Sequence, residues 1–374
     1  MALACLSEEP PAHEHVLDSS LLRTHERGVR IRRGMGDLGP LIATVLPVLN
    51  EEKHIEACLT SLMHQTLDSH KHMVMVLDGG SSDATCSIVT RMIEVSRESN
   101  GPRIELHENP GRFVADARNL ALRLLPQSVQ YTVELIGHST FDEDHLQLRL
   151  EEWNEFETLY SEPIGAVGVK VLPREGEQSM VESWIEGSLA SPFGSGDGQF
   201  SSFTERSETQ IPAFAMHSRT ALEKVGGWDP FFITSQDSEL SMRLIDAGFI
   251  LTRTPNTHVR MVKRSSLSKW WKMGHRYGFW RSKVLRKHPS RARFREFLPL
   301  IGLLLTVFFF LSIGLFLTAC YATVLAIEGV RKAFTSRRIS SLFGVPLCLF
   351  LLHTSFSIGL IDGMLRRGRA PSDR

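Results

Sequence analysis

Residues 72–83 read HMVMVLDGGSSD, an apolar run that breaks at an acidic, glycine-rich turn. The run predicts a fully buried strand, because it has the length of a strand and turn residues follow it. A second apolar run, residues 41–47, precedes it along the chain. Between the two, a helix is expected from Asn50-Glu51-Glu52 to about Gln65. A strand, a helix and another strand in this order predict a pair of parallel strands.

The same alternation continues along the chain. Residues 104–107 have the pattern of a third strand, residues 115–125 that of a helix, and residues 131–136 that of a fourth strand. Repeated units of this kind predict an α/β domain with a mostly parallel, twisted sheet flanked by helices. Ligands of such sheets bind where the carboxyl ends of the strands meet. Four polar segments are expected at that edge: residues 47–51, residues 78–83, residues 111–119 and His138.

The turns that follow these strands exclude two common nucleotide-binding motifs. Neither G-x-G-x-x-G nor G-x-x-x-x-G-K follows any of them, which excludes a dinucleotide fingerprint and a P-loop. Asp78 ends an apolar strand, where a carboxylate needs a polar partner, and the N–H group of a ligand would serve. Asp83 is expected to cap the next helix instead.

The zero net charge of the 374 residues conceals two oppositely charged parts. Residues 1–261 hold 22 basic and 38 acidic side chains, a net of −16, and residues 262–374 hold 20 and 4, a net of +16. The overall balance excludes a general nucleic-acid binder, and a hydrophobic content of 42% excludes a mostly disordered chain. Five scattered cysteines without a C-x-x-C pair favour a reducing compartment and argue against structural zinc.

Two long uncharged runs, residues 298–327 and residues 339–361, predict membrane-spanning helices. Each exceeds the roughly 20 residues that cross a bilayer. The alternative is a pair of buried core helices, which rarely lack charge over such a length. Before the first run, residues 262–295 hold twelve Lys and Arg residues, no acid and three tryptophans. This composition predicts a segment at the interface of an anionic cytoplasmic leaflet.

The expected organisation therefore has five parts, and its α/β domain faces the cytoplasm of a multi-pass protein in the cell membrane. The parts are a polar mobile tail (1–38), the α/β domain (39–261), an interfacial segment (262–297), a two-helix anchor (298–361) and a basic tail (362–374). The polar tail lacks the apolar core of a signal peptide. Four basic residues conflict with the two-span topology. Arg331, Lys332, Arg337 and Arg338 would lie on the outer side of the membrane, whereas basic residues prefer the cytoplasmic side. In the alternative topology, the second run is re-entrant.

Five short motifs occur in order between about residue 41 and residue 289. They are PVLNEE (47–52), LDGGSSDAT (77–85), NPG with ARN (109–119), GGWDP (226–230) and QDSELSMRL (236–244). In this order and spacing they resemble glycosyltransferase family 2, the inverting nucleotide-sugar transferases with a GT-A fold. Within that family the chain is most similar to the bacterial succinoglycan-type exopolysaccharide glucosyltransferases.

The resemblance implies a role for each matching residue. Asp78 would accept a hydrogen bond from the uracil of a UDP donor, and Pro47 and Glu51 would line the base and ribose. Arg118 and Asn119 would bind the nucleotide sugar, and Asp237 would be the catalytic base that takes the proton of the acceptor hydroxyl. The residues expected around the acceptor, or in the loop that closes over it, are Gly227, Trp228, Asp229, Arg276 and Trp280. A structural alternative for Asp237 is a simple helix N-cap.

The sequence departs from the family at two positions. Ile136 replaces the first carboxylate of the D-x-D metal motif, which leaves His138 as the expected ligand of a Mn or Mg ion. Gln236 stands where the family usually has glutamate. Three interpretations follow: a divalent cation held by His138, the diphosphate and water; catalysis that relies on Arg and Lys of the basic segment; or an inactive relative that still binds nucleotide.

The resemblance implies an inverting hexosyltransferase. It would move a sugar from a nucleotide sugar, expected to be UDP-linked, to a lipid-linked glycan in exopolysaccharide or surface-glycan synthesis. Such a reaction needs one carboxylate for the proton and positive charge for the departing diphosphate. The alternatives are a polyprenyl-phosphate sugar synthase and a catalytically inactive, nucleotide-sugar-binding membrane subunit.

Overall fold

A computed structural model describes residues 39–194, 201–309 and 314–368. The predicted polar tail and residues 369–374 of the basic tail lie outside the described residues. The strands are β1 (Ile42–Val48), β2 (His72–Asp78), β3 (Arg103–Glu108), β4 (Tyr131–Glu134), β5 (Ser139–Thr140), β6 (Ile164–Pro173), β7 (Ser207–Glu208), β8 (Met216–Ser218) and β9 (Ile250–Met261).

Helices alternate with the strands and then follow them without interruption. In the first part of the chain they are α1 (Ile55–Met63), α2 (Thr85–Glu98), α3 (Val114–Leu124), α4 (His145–Leu159), α5 (Met180–Leu189), α6 (Arg219–Val225) and α7 (Gln236–Asp246). After the last strand come α8 (Leu267–Lys287), α9 (Phe294–Phe308), α10 (Leu315–Ser336) and α11 (Ser341–Leu365). The predicted alternation of strands and helices up to β4 is confirmed.

The strands form one sheet in the order β3-β2-β1-β4-β8-β6-β9-β5, with β7 beside β9. The pairs among β1 to β4 are parallel, as predicted. Beyond β4 the sheet is mixed, because β8 enters antiparallel between β4 and β6, and β5 and β7 pair antiparallel with β9. The expectation of a mostly parallel sheet therefore holds for its first half only.

Helices cover both faces of the first half of the sheet, which explains why the residues of β2 between His72 and Asp78 are all apolar. Val74 and Val76 pack into one apolar cluster with residues of α1 and α2. Met73, Met75 and Leu77 point to the other face and pack with residues of α3. Every residue of β2 is buried as a result. This packing aligns the carboxyl ends of β1, β2 and β4 at one edge.

The structure does not support two membrane spans. Among the described residues only α11 is long and apolar enough to cross a membrane, and half of its apolar window is buried inside the protein. The predicted span 298–327 is divided, because α9 ends at Phe308 and α10 begins at Leu315. Hydropathy alone could not reveal this division, since both halves are apolar.

Small residues bring α8 and α11 into close contact. A side chain at Gly274 would collide with Ser355, and one at Gly278 would collide with the backbone of Phe356. A side chain at Gly363 would collide in turn with Ser282 and the backbone of Phe279. Residues at intervals of four thus face each other across the two helices, as in tightly packed membrane helices.

Two of the three tryptophans of the interfacial segment are buried in protein rather than at a membrane surface. Trp270 is 1% exposed and donates from Nε1 to the carbonyl oxygen of Cys348 at 2.9 Å. Trp280 is fully buried and packs with Phe232 and Phe279. The interpretation of these two residues as interfacial anchors is therefore wrong, because α11 and the α/β domain cover them.

Candidate active site

The loops after β1 and β2 are bonded to each other. Asn50, in the left-handed conformation at φ 56°, donates from its backbone N–H to Ser81 Oγ at 2.9 Å and accepts from the N–H of Ser82 at 2.9 Å. The N–H of Glu51 donates to Thr85 Oγ1 at 2.8 Å. The N-E-E and D-G-G-S-S-D motifs therefore form one rigid platform at the edge of the sheet.

Asp78 lies at the end of β2 on this platform and is 8% exposed. Its carboxylate accepts from the N–H groups of Gly80 and Ser81, at 3.1 and 3.0 Å. The turn itself thus supplies the polar partner that the sequence required, and the carboxylate retains further acceptor positions for a ligand. Asp83 accepts from the N–H of Thr85, the first residue of α2, but the N-cap position itself is Ala84.

Asp237 is joined to a buried chain of charged side chains. One terminal nitrogen of Arg118 bonds to Asp237 Oδ1, and the other lies 2.8 Å from Glu134 Oε2. The second oxygen of Glu134 lies 2.9 Å from His217 Nδ1. Arg118, Glu134 and His217 are each less than a tenth exposed, whereas the Asp237 side chain is 47% exposed. Of these four side chains, only that of Asp237 is open to a reactant.

The electrostatics of this chain favour a proton acceptor at Asp237. The pKa of the Asp237 carboxyl is raised, first because the surrounding protein removes water from it and also because the Glu134 charge is near, although Arg118 opposes both effects. Burial alone would raise the pKa of Glu134 as well, but Arg118 and His217 hold it below its usual value. Glu134 therefore stays ionised while Asp237 becomes the more basic carboxylate.

Asp237 is not the N-cap of its helix. Helix α7 begins at Gln236, and its N-cap is Ser235, which adopts the left-handed conformation at φ 63°. Asp237 is the second residue of the helix, so its side chain is free to point outward, and it bonds Arg118. The left-handed residue is the kind of local strain that clusters at functional sites.

Asn119 holds the loop that follows α6. Its side-chain amide donates to the carbonyl oxygen of Trp228 at 2.7 Å and accepts from the N–H of Trp228 at 2.9 Å. Gly227, at φ 72°, lies so close that any side chain would collide with Asn119 Oδ1. Asn119 thus has a positioning role in the structure, and its contact with a nucleotide sugar stays a prediction.

The side chain of Trp228 is only 3% exposed and lies beneath Arg118, whose guanidinium carbon is 5.5 Å from the ring centroid. Trp280 is likewise fully buried. In this structure neither ring is open to an acceptor: Trp228 lies beneath Arg118, and Trp280 packs against Phe232. Arg276 lies on α8, partly buried, and its predicted contact with the acceptor stays a prediction.

Asp229 connects the site to the end of α8. Its Oδ2 lies 2.7 Å from Lys287 Nζ, which also lies 2.7 Å from Glu239 Oε1 on α7. Arg243 pairs with the other oxygen of Glu239 at 2.7 Å. One lysine of the basic segment is therefore fixed both to the loop and to the helix that carry two of the family motifs.

The predicted metal position does not have the donor set of a divalent-cation site. His138 Nδ1 lies 2.8 Å from Glu51 Oε1, so each of these two predicted ligand-binding residues is engaged by the other. Ile136 offers no side-chain oxygen. Within the described part of the chain, no group of three His, Cys, Asp or Glu side chains could hold a metal ion. Mn and Mg ions prefer several oxygen ligands, which these residues do not supply.

Sequence reasoning missed Glu134, His217 and Lys287. Glu134 is the last residue of β4. An acid at the end of an apolar strand indicates a buried polar partner, and this reasoning, applied above to Asp78, applies equally to Glu134. His217 comes from β8, a three-residue strand with no sequence signature. Lys287 is one of twelve basic residues in its segment, so only the structure could distinguish it.

Two curated proteins are similar to this chain in sequence. The succinoglycan biosynthesis protein ExoA of Rhizobium meliloti is 27% identical over 256 residues, which cover 68% of this chain and 73% of ExoA. The glycosyltransferase AglE of Haloferax volcanii is 39% identical over 49 residues, 13% of this chain and 16% of AglE. Among solved structures, the mannosyltransferase PcManGT of Pyrobaculum calidifontis, in complex with GDP-Man and Mn2+, aligns over 87% of both chains with a TM-score of 0.56 and 18% identity.

The fold likeness to PcManGT supports the GT-A type α/β fold. Two sequence profiles also match the chain. The profile described as Glycosyl transferase family 2 matches residues 44–226. The profile described as Glycosyl transferase family group 2 matches residues 138–361, more than half of the 374 residues. The protein is therefore a glycosyltransferase and belongs to glycosyl transferase family 2.

Proposed function

We propose that the protein transfers a hexose, with inversion, from a nucleotide sugar to a lipid-linked glycan during exopolysaccharide or surface-glycan synthesis. The observation that carries the proposal is the half-exposed Asp237, held by the buried pair of Arg118 and Glu134. Inverting transfer needs one carboxylate that takes the proton from the acceptor hydroxyl as it attacks the anomeric carbon. Asp237 has the exposure and the raised pKa for this task.

The donor would lie across the platform at the ends of β1 and β2. Pro47, Glu51 and Asp78 are placed there, and Asp78 keeps acceptor capacity for an imide N–H such as that of uracil. This supports a UDP-linked sugar. PcManGT is described with GDP-Man, so donors with either base belong in the test.

The acceptor would be presented at the cytoplasmic face of the cell membrane. ExoA is a succinoglycan biosynthesis protein, which supports a growing glycan as the acceptor. The basic segment and the apolar helices follow the α/β domain directly, which would place the site near the lipid surface. The multi-pass topology is not part of this proposal, because contacts of Lys332 with Ala190 and of Val345 with Ser188 conflict with it.

Fixed positive charge, rather than a metal held by protein, would stabilise the departing diphosphate. The N–H of Val262 donates to the carbonyl oxygen of His138 at 3.1 Å, so the basic segment starts beside the position predicted for the metal. Two residues further on, burial lowers the pKa of Arg264, and the nearby charge of Arg276 adds to this effect. A diphosphate would relieve the repulsion between these arginines.

Transfer of radiolabelled sugar from a panel of UDP- and GDP-sugars into membrane lipid tests the proposal. Asp237→Asn is expected to lower the rate about 10²- to 10⁴-fold, the range of general base catalysis. Asp246→Asn on the same helix, with a side chain 63% exposed, is the matched control and should leave the rate unchanged. Transfer that survives Asp237→Asn would remove the base assignment, and binding without transfer from any donor would indicate an inactive subunit.

A further inference from the structure

The connection between α10 and α11 touches the α/β domain. Lys332 Nζ, near the end of α10, donates to the carbonyl oxygen of Ala190 at 3.0 Å. Ser188 Oγ on α5 lies 3.3 Å from the carbonyl oxygen of Val345. A side chain at Gly344 would collide with the ring of Trp184, also on α5. In a two-span topology this connection would lie across the bilayer from the α/β domain, which these contacts forbid.

The far end of α11 touches the same side of the protein. Lys283 on α8 donates to the carbonyl oxygen of Arg366, and Arg286 donates to that of Met364. Helix α8 is in turn fixed to the α/β domain through Lys287 and Asp229. A helix of 25 residues is about 37 Å long, and both of its ends contact elements outside the membrane. Helix α11 therefore lies along the domain and does not cross a bilayer.

The end of α9 is in contact with the start of α10. The N–H of Gly314 donates to the carbonyl oxygen of Phe309 at 2.8 Å, and the hydroxyls of Thr306 and Thr318 are 3.5 Å apart. At its other end, α9 is tied to α8 by Glu296, which lies 2.7 Å from Arg281 Nε. The opposite end of α10 is tied to Ala190 by Lys332. Both outer ends of this helix pair thus contact the rest of the protein.

The helix pair is too short to cross a membrane. The 15 residues of α9 extend about 22 Å, and α10 extends about 21 Å between Leu315 and the ionisable Glu328. The hydrocarbon core of a bilayer is about 30 Å thick. The uncharged part of the pair is therefore too short to reach the other side, and α10 already packs on α11 at Tyr321 and Leu325.

Exposed apolar side chains concentrate on these helices. Of the 27 large apolar side chains that are exposed in the described residues, 13 lie between Phe294 and Phe334, in and around α9 and α10. Near the point where α9 and α10 meet, Val307, Phe308 and Phe316 are 66%, 74% and 69% exposed. The outer ends carry cations instead: Arg291, Arg293, Arg295, Arg331, Lys332, Arg337 and Arg338. An apolar tip between cationic ends matches a leaflet of anionic phospholipid.

We propose that α9 and α10 form a re-entrant hairpin, called here the α9–α10 hairpin, which enters the cytoplasmic leaflet of an anionic bilayer and returns to the same side. The inference rests on the proposed membrane attachment but not on the transfer chemistry. It explains the four basic residues that conflict with the two-span topology, because Arg331, Lys332, Arg337 and Arg338 then stay on the cytoplasmic side. It also moves the re-entrant segment from the second uncharged run to the first.

The side on which Ser336 lies decides between the topologies. In the full chain with Cys5, Cys86 and Cys320 replaced by serine, Ser336→Cys is treated with a membrane-impermeant maleimide in intact spheroplasts and in inverted vesicles. We expect labelling in inverted vesicles only, as for the control Ser99→Cys in the α/β domain. Labelling of Ser336→Cys in intact spheroplasts, with Ser99→Cys protected, would overturn the proposal.

Depth is tested separately with purified Phe316→Trp in vesicles that contain phosphatidylglycerol. Lipids brominated in the acyl chains should quench its fluorescence at least twofold more than that of the unsubstituted protein. Equal quenching, together with a stable oligomer in detergent, would overturn the proposal by making the apolar surface an interface between copies. Loss of sugar transfer in the unsubstituted protein, with labelling and quenching as expected, would count against the proposed function alone.

Discussion

Glu134 holds Arg118 in place: its Oε2 lies 2.8 Å from Arg118 Nη2, while the other terminal nitrogen of the guanidinium bonds Asp237. Glu134 is only 3% exposed and cannot reach an acceptor that approaches Asp237. One arginine is thus shared between a buried carboxylate and a half-exposed one. The basicity of Asp237 therefore depends on a residue that does not contact the substrate.

Replacing Glu134 with glutamine should shift the pH profile of transfer. The Glu134 charge raises the pKa of Asp237 and competes for Arg118, so its removal should lower that pKa. Transfer needs ionised Asp237 and is lost as the pH falls through its pKa. The acidic limb of kcat/KM should therefore move to lower pH, and the rate at neutral pH should fall roughly tenfold because the base is weaker.

Glu151→Gln on α4, an exposed acid, is the control for the loss of one negative charge. The measurement is kcat/KM between pH 5 and pH 8 for the three proteins. A rate loss in Glu134→Gln with an unmoved acidic limb would contradict the positioning role and indicate structural damage only.

The paired glycines before Trp228 should differ in their tolerance of alanine. Both adopt left-handed conformations, at φ 76° for Gly226 and φ 72° for Gly227. Gly226→Ala meets nothing within 4 Å and should cost about 1 kcal/mol of unfolding free energy from backbone strain alone. Gly227→Ala would also collide with Asn119 and disturb its two hydrogen bonds to Trp228, which adds roughly 1–3 kcal/mol.

Denaturant unfolding of both alanine variants measures the difference, and transfer activity shows whether the loop matters to the site. We expect Gly227→Ala to lose activity at temperatures where Gly226→Ala keeps it. Equal stability of the two variants would mean that Asn119 does not fix the loop.

The first half of the fold could be predicted because its signals are local. Strands β1, β2 and β4 are short, largely apolar runs that end at polar turns, so Asp78 and His138 fall at the carboxyl edge from sequence alone. The mixed half could not be predicted in this way. β8 has three residues and pairs with β4 and β6 far from it in sequence. His217, which β8 carries to Glu134, was hidden for the same reason.

Helices α9, α10 and α11 show that hydropathy alone does not give the path of the chain. Both uncharged runs are long enough to span, and the composition of the first gives no sign that α9 ends at Phe308 and α10 begins at Leu315. The contacts of Lys332 with Ala190 and of Lys283 with Arg366 are tertiary, and they decide the path. The glycines of α8 and α11 do indicate in the sequence that these two helices pack together, because a four-residue spacing of small residues favours close helix packing.

Chelation should leave transfer largely intact. Because Ile136 offers no ligand and Glu51 engages His138, we expect the unsubstituted enzyme to keep its rate within about threefold in excess chelator. Arg264→Gln should instead lower the rate and weaken UDP binding, with Lys269→Gln, an exposed residue of α8, as its control. A rate that disappears with chelator and returns with Mn would restore the metal interpretation and point to ligands from the diphosphate and water.

A larger residue at the crossing of α8 and α11 should separate the two helices. Any side chain at Gly278 meets the backbone of Phe356 and Leu360, which cannot move aside as a flexible side chain can. Gly278→Leu should therefore cost about 1–3 kcal/mol or more through overpacking. Gly302→Leu on α9 has nothing within 4 Å and is the matched control. Thermal unfolding in detergent, with protease digestion at the end of α11, should show early cleavage in Gly278→Leu only. Equal protection of the two variants would mean that α11 does not depend on this contact, and the path of α11 along the domain would need another explanation.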